Sequence, residues 1–297
     1  MFEIGKVFHL THVVEDLDAV DRWYDEIFAC DRFYRAVAKF AAREASLLVI
    51  GDMVMEPVQV AHSIEGADQA PIGRFLSRFG EHFHSIAWYV DDLRATVRAL
   101  DDAGIRQVDV AGRRIDPTKA ASWTNTSAHA VWTHPKDTHA LLEFSEPGFA
   151  ADPRLAAGWT ANRWRDEHPL GIEGTSHLTV LFEDVEQALP LYAGVLGGSQ
   201  VGEATTEQGR SIYFAVGEGV VEALQPEAGS GAAADLESAG EGVFAITFKV
   251  VDIGRAAEFL AGKGQVFERL GDDAVVIRPE HAFGMTVGFT QRALHLA

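Results

Sequence analysis

The sequence predicts an α+β protein made of four βαβββ modules, paired into two curved-sheet domains. Three observations carry that prediction. The pattern His-x-x-x-x-x-x-Asp opens HLTHVVEDLDAVDRWYDEIFA at His9 and HLTVLFEDVEQALPLYAGVLGG at His177, each time leading from an apolar strand into an amphipathic helix. Two weaker copies, HSIAWYVDDLRATVRALDDAGI (84–105) and AITFKVVDIGRAAEFLAGKGQ (245–265), have the same strand, acidic turn and helix. Strand-like runs follow every helix, so the unit is strand, helix and about three strands, not a solenoid repeat.

The elements follow in order. Asp16, Asp92, Asp184 and Asp252 each stand between an apolar strand and a helix with apolar residues at three- and four-residue spacing, where an N-cap belongs. The closing strands read ASLLVIGDMVMEPV, HAVWTHPKDTHALLEF, RSIYFAVGEGVVEAL and AVVIRPEHAFGMTVGF. Between the second and third modules, PGFAADPRLAAGWTANRWRDEHPLG (147–171) breaks the rhythm with Pro147, Pro153 and Pro169. This places an N-terminal module pair at 1–149, a connector at 150–171 and a C-terminal pair at 172–297, each pair near the usual domain size. Trp159 and Trp164 are expected to anchor the connector, since buried aromatics contribute large apolar area. The loop PEAGSGAAADLESAGEG (226–242) reads as flexible, low-complexity sequence where the first half has PIGRFL.

With 297 residues, 47% hydrophobic and 23% charged, the chain can bury two cores. A formal charge of −19 argues against nucleic acid as a partner, because phosphate backbones are bound through Lys and Arg. No apolar run is long enough to span a bilayer, and MFEIGKVFHL lacks the regions of a signal peptide, so a cytoplasmic protein without a membrane partner is expected. The single cysteine, Cys30, ends the first helix and reads as a small half-buried hydrophobe, not a nucleophile.

The four modules, the HxxxxxxD openings and two stretches of the first half resemble the vicinal oxygen chelate superfamily, which includes glyoxalase I, methylmalonyl-CoA epimerase and the extradiol dioxygenases. APIGRFLSRFGEHFHSIAWYVDDL (70–93) and THPKDTHALLEF (133–144) are similar to segments of the epimerase. The resemblance implies one divalent transition metal (Zn, Ni, Co, Mn or Fe), held by a ligand from the first and last strand of each module. Carried over, the first-half ligands are His9, Glu56 from VMEPV, a residue at 84–85, and Glu143 from LLEF. Counting from Asp92 places Ser85 at the third position; counting from Asp91 places His84 there. Strand alternation turns His84 away from the site unless a bulge intervenes. Tyr89 and Trp132 are expected to shape a substrate pocket with Ser85. His12 has the opposite parity to His9 and reads as structural, while His82, His134 and His139 fall at the rim or surface.

The second half keeps His177 and Glu222, but its fourth module offers Ala245 or Phe244 and then Gly288, so it reads as a degenerate copy. The resemblance then implies a metal-dependent isomerase or lyase that abstracts a proton beside a carbonyl of a small oxygen-bearing substrate, with Glu56 and Glu143 as catalytic carboxylates. A base in an apolar cavity is expected to have its pKa raised toward neutrality. Two alternatives stand beside it: a non-haem iron dioxygenase using His9, His84 and Glu143, and a metal-free binding or resistance protein. The duplication leaves a monomer or a homodimer as the assembly.

Overall fold

The computed structural model describes residues 2–118, 130–148 and 152–294. Strands β1 (Ile4–Val13), β2 (Asp31–Ala38), β3 (Arg43–Ile50), β4 (Met53–Val60), β5 (His82–Val90), β6 (Gln107–Val108), β7 (Ala130–Thr133) and β8 (Leu141–Ser145) form one mixed sheet, ordered β2-β3-β4-β1-β5-β8-β7-β6. Strands β9 (Ile172–Leu181), β10 (Ser199–Thr206), β11 (Gly209–Val216), β12 (Gly219–Pro226), β13 (Gly242–Val250), β14 (Glu268–Arg269), β15 (Ala274–Ile277) and β16 (Thr286–Thr290) repeat that order. In each module the closing strand lies parallel to the first: β4 on β1, β8 on β5, β12 on β9 and β16 on β13. The paired modules join antiparallel through β1–β5 and β9–β13. Neither sheet closes into a barrel; each curves around the centre of the module pair.

The acidic caps act as the sequence predicts. Asp16, Asp92 and Asp252 accept hydrogen bonds from Ala19, Ala95 and Arg255 backbone N–H groups, heading helices Leu17–Phe28, Leu93–Asp102 and Ile253–Gly262. Along the first helix Leu17, Val20, Tyr24, Ile27 and Phe28 form the stripe buried against the sheet. The third module departs from this regularity. Asp184 caps only a 3₁₀ turn, Val185–Gln187, and a wide π-turn follows at Pro190–Val195. Pro190 has no N–H to give, and its ring crowds the preceding turn, so the α-helical ladder is not continued through it.

The low-complexity expectation for 226–242 is also corrected. Gly231–Ala239 is a helix, with Ser230 capping Ala233 N–H, and it occupies the place of Pro71–Phe79 in the first half. Its three consecutive alanines and Leu236 are good helix formers, which outweighs the low complexity of the string. The boundary expected at 149–150 falls outside the described residues.

The halves share one continuous hydrophobic cluster. Phe28 meets Phe248 and Phe289 across the joint, with ring centroids 5.7 and 6.1 Å apart. Trp164 of the connector is 1% exposed and donates its indole N–H to the Phe28 carbonyl. His12 is fully buried at the same joint, its Nε2 2.6 Å from the Phe283 carbonyl oxygen. Burial holds that ring at a pKa of about 3, so it is neutral and Nε2 donates. No helix among the described residues is long and apolar enough to cross a membrane.

Candidate functional site

Strand register brings the first-half residues together. Thr11 on β1 stands opposite Glu56 on β4, and Ala87 on β5 stands opposite Glu143 on β8. His9 lies two residues before Thr11 and Ser85 two before Ala87. Ser85 therefore occupies the second module's counterpart of His9. Beside the site positions the β1–β5 pairing skips Phe8 and His84, and β9–β13 skips Ser176 and Phe244; a third shift in each pairing, at Gly5–Lys6 and at Glu173, lies away from them. Phe8, His84, Ser176 and Phe244 directly precede the first-strand site positions His9, Ser85, His177 and Ala245. A bulge of this kind sets two residues against one and re-aims their side chains. His84 accordingly stays beside Ser85, with Nδ1 3.1 Å from its Oγ. Burial, with Arg43 nearby, lowers the His84 pKa to about 4, so the ring is neutral.

His9, Glu56 and Glu143 are 2%, 3% and 5% exposed. His9 Nε2 lies 3.2 Å from Glu56 Oε2 and 3.3 Å from Glu143 Oε2. Neither ring nitrogen of His9 has an aligned hydrogen bond among the described residues. Burial alone would lower the His9 pKa, but the two carboxylates outweigh it and raise it. Glu56 is held from three sides: Thr11 Oγ1 donates to Oε2 at 2.8 Å, Arg43 Nη2 lies 3.2 Å from Oε1, and His9 faces it. Ser85 Oγ donates in turn to Thr11 Oγ1 at 3.0 Å. The expected rise in the Glu56 pKa is overturned. Burial pushes it up, yet Arg43, His9 and the Thr11 hydroxyl together bring it below the ordinary value.

A cavity of about 280 Å³ opens over this cluster, walled by Phe8, Tyr34, Phe40 and Trp132, with Lys39 and Arg43 as its cations. Of the three residues expected to shape a substrate pocket, Trp132 lines this cavity, and Tyr89 and Ser85 do not. Tyr89 stacks behind Phe8, with centroids 4.4 Å apart, and its hydroxyl donates to Asp152. Ser85 is the base of the hydroxyl chain under Glu56.

Two groups were not singled out by the sequence. Arg43 opens β3, and only the neighbouring strand β4 makes it Glu56's partner. Arg154 lies in the connector, where no periodicity marks it. Its side chain is 1% exposed, pairs with Asp152 at 2.7 Å, and donates to the carbonyls of Phe8 at 2.8 Å and Asp52 at 2.6 Å. It thus holds the backbone of the bulge that precedes His9. Asp52 in turn accepts from Thr175 N–H and Oγ1, next to the Ser176 bulge.

The donor set fits a divalent cation in kind: one imidazole and two carboxylates, all buried, with the Arg43 guanidinium 3.2 Å from Glu56 as a permanent positive charge beside them. The unaligned Nε2 of His9, facing both carboxylates, is the atom such an ion would satisfy. Among the described residues, however, no three His, Cys, Asp or Glu side chains already converge as a metal cage. Glu56 is turned toward Thr11 and Arg43.

In the second half His177 Nε2 lies 3.4 Å from Glu222 Oε2. Both oxygens of Glu222 are already occupied: Thr179 donates to Oε2 at 2.6 Å, while Ser211 and Tyr213 donate to Oε1 at 2.7 and 2.8 Å. Register places Ala245 and Gly288 at the remaining two positions. A Cβ at Gly288 would come within 2.7 Å of Thr247 Oγ1, so a ligand side chain cannot enter there unless Thr247 gives way. His82 and His139, expected at the rim or surface, bridge the halves through Asp235 at 3.0 Å and Glu241 at 2.7 Å.

Two family models, both described as Glyoxalase/Bleomycin resistance protein/Dioxygenase superfamily, match residues 8–121 and 174–285. No curated protein matches the chain. Among solved structures, a mutant of 4-hydroxymandelate synthase from Streptomyces coelicolor aligns over 98% of this chain and 95% of its own at 14% identity, with a TM-score of 0.67. The 2,3-dioxygenase LapB from Pseudomonas sp. KL28 aligns over 99% of this chain and 93% of its own at 12% identity, TM-score 0.60. Methylmalonyl-CoA epimerase from Mycobacterium tuberculosis aligns over 48% of this chain and 87% of its own at 22% identity, TM-score 0.37. At these identities the full-length alignments establish the two-domain fold, not the chemistry.

Proposed function

Because the chain belongs to the Glyoxalase/Bleomycin resistance protein/Dioxygenase superfamily, we propose that it is a divalent-metal-dependent isomerase or lyase whose site is His9, Glu56 and Glu143. The observation that carries this reading is the buried His9 Nε2, without an aligned hydrogen bond and facing two carboxylates in a cavity. A bound divalent ion would supply Lewis-acid polarisation of a substrate carbonyl. The residues divide the remaining work. Glu56, clamped by Arg43 and Thr11, stays ionised and fixed, which suits a ligand. Among the described residues Glu143 has His9 beside it but no such clamp, and it faces the cavity, so it is the carboxylate able to take a proton from the carbon beside the carbonyl. Phe8, Tyr34 and Trp132 form the apolar, water-excluding wall.

One imidazole with two carboxylates departs from the two-histidine, one-carboxylate set of iron oxygenases. One observation favours that second reading: the bulge keeps a neutral His84 beside Ser85, one position from the shell.

Elemental analysis of protein purified without chelator tests both. About one equivalent of Zn, Ni, Co or Mn, lost in His9→Ala and Glu143→Ala, is the expected outcome. Iron in place of these would transfer the assignment to the oxygenase, and failure to bind any metal on reconstitution would end both. Glu143→Gln should retain metal better than Glu143→Ala while losing proton exchange between substrate and deuterated solvent by 10²-fold or more, on the order of a general-base contribution.

A further inference from the structure

The second sheet holds a larger hollow than the first, a cavity of about 670 Å³ over the His177–Glu222 pair. That volume lies within the range of small-molecule sites. Its floor is closed to a metal, since Glu222 is saturated and Ala245 and Gly288 offer no donor atom. Part of its wall is apolar, formed by Leu224, Phe244 and Val276, and the carboxylates Glu207, Glu268 and Asp273 line it together with Arg269, Arg278 and Arg292. One polar atom on the wall is unmatched. Thr286 is 6% exposed, and its Oγ1 is buried with no hydrogen-bond partner among the described residues. A buried hydroxyl left in this state costs free energy that a ligand oxygen would recover.

Arg278 lines the same cavity. Its guanidinium lies against the start of helix Gly231–Ala239, where a Cβ at Gly231 would fall 2.3 Å from Nη1, so the glycine makes room for it. Its carboxylate partner is Glu268, a half-exposed side chain able to leave to solvent. The other rim cations differ in state: Arg292 is paired with Asp273, whereas Arg269 has no carboxylate partner among the described residues.

We propose that this hollow is a second, metal-free binding site for a small organic carboxylate. The apolar body would pack on Phe244 and Val276, and the carboxylate would sit at Arg278, with the Thr286 hydroxyl turned toward it by rotation about the Cα–Cβ bond. A bidentate guanidinium–carboxylate pair is the strong contact, and the hydroxyl adds direction. The loss of metal ligands here therefore trades a coordination site for an apolar recognition site.

Calorimetric titration with phenylacetate and octanoate, each beside its amide, tests the assignment. Both acids should bind, and each amide should bind at least about tenfold more weakly, because only the acid pairs with Arg278. Arg278→Met should weaken the acids about tenfold and leave the amides unchanged. Thr286→Val, which keeps shape and fold, should weaken the acids two- to tenfold, the range of one hydrogen bond. Glu143→Gln should leave acid binding unaltered. The assignment is overturned by no binding up to about 10 mM, by acids and amides binding alike, by indifference to both second-half variants, or by loss of binding in Glu143→Gln, which would place the ligand in the first cavity.

Discussion

Paired buried charges make both sites sensitive to small changes. Glu222 shows this most directly. Burial favours its neutral form, but His177 and the hydroxyls of Thr179 and Ser211 outweigh burial and hold its pKa at about 2, against an ordinary 4.5. A carboxyl whose folded pKa is depressed stabilises the fold above its ordinary pKa and loses that contribution as pH falls toward the folded value. The acid limb of the protein's stability, between about pH 4.5 and 2, should therefore flatten in Glu222→Gln. Denaturant midpoints measured across that window check it; an unchanged slope would remove Glu222 from the account. Cys30 illustrates the opposite case. Burial and the nearby Asp25 carboxylate push its thiol up, so it is a poor nucleophile near neutrality, in keeping with its reading as a half-buried hydrophobe.

The four bulges are the elements on which the sites depend, and the connector maintains at least one of them. Arg154 and Asp152 are both buried, and taking two charges out of water is costly unless every donor and acceptor is used. Here most are: the guanidinium spans Asp152, the Phe8 carbonyl and the Asp52 carbonyl. Arg154→Met would strand the Asp152 charge and free the bulge before His9, costing about 3–5 kcal/mol in equilibrium unfolding. The double variant Arg154→Met, Asp152→Asn should recover part of that loss. Even then Co²⁺ affinity should stay about tenfold or more below wild type, as expected when a group that orients a ligand is removed. Wild-type affinity in the refolded double variant would reduce Arg154 to a stability element. The histidines that cross the joint act at the same scale. Burial disfavours the charged form of His82, but the hydrogen bond and charge of Asp235 outweigh it and raise its pKa, so this contact is strongest at low pH and is lost as pH rises through the raised value.

At the scale of the molecule, the two sheets are repeats that do not stand apart. Tyr24, Phe28 and His12 of the first half are covered by Met285, Phe289 and Phe283 of the second. We propose that neither 1–149 nor 172–297 folds alone, because each would expose a large apolar face. Expressed singly, the pieces should aggregate or lack cooperative unfolding, while co-expression should yield a soluble, cooperatively melting complex. A separately folded, sharply melting N-terminal piece would show that the joint is dispensable.

The sequence by itself determined the repeat, the module plan and the acidic caps, because these depend on periodicity and on residue type at fixed spacing, both local properties; the candidates His9, Glu56 and Glu143 came from its resemblance to the vicinal oxygen chelate superfamily. It also contained the degeneracy of the second half, since Ala245 and Gly288 have no donor to offer. It could not decide between His84 and Ser85: a bulge changes side-chain facing without changing spacing, and bulges are set by pairing with a distant strand. For the same reason Arg43's pairing with Glu56, and hence the lowered pKa of that carboxyl, was not legible along the chain. Arg154's hold on the Phe8 carbonyl joins residues 146 positions apart, and the unmatched Thr286 hydroxyl is defined by which neighbours it lacks. Contacts between distant strands, and the absence of contacts, exist only once the chain has folded.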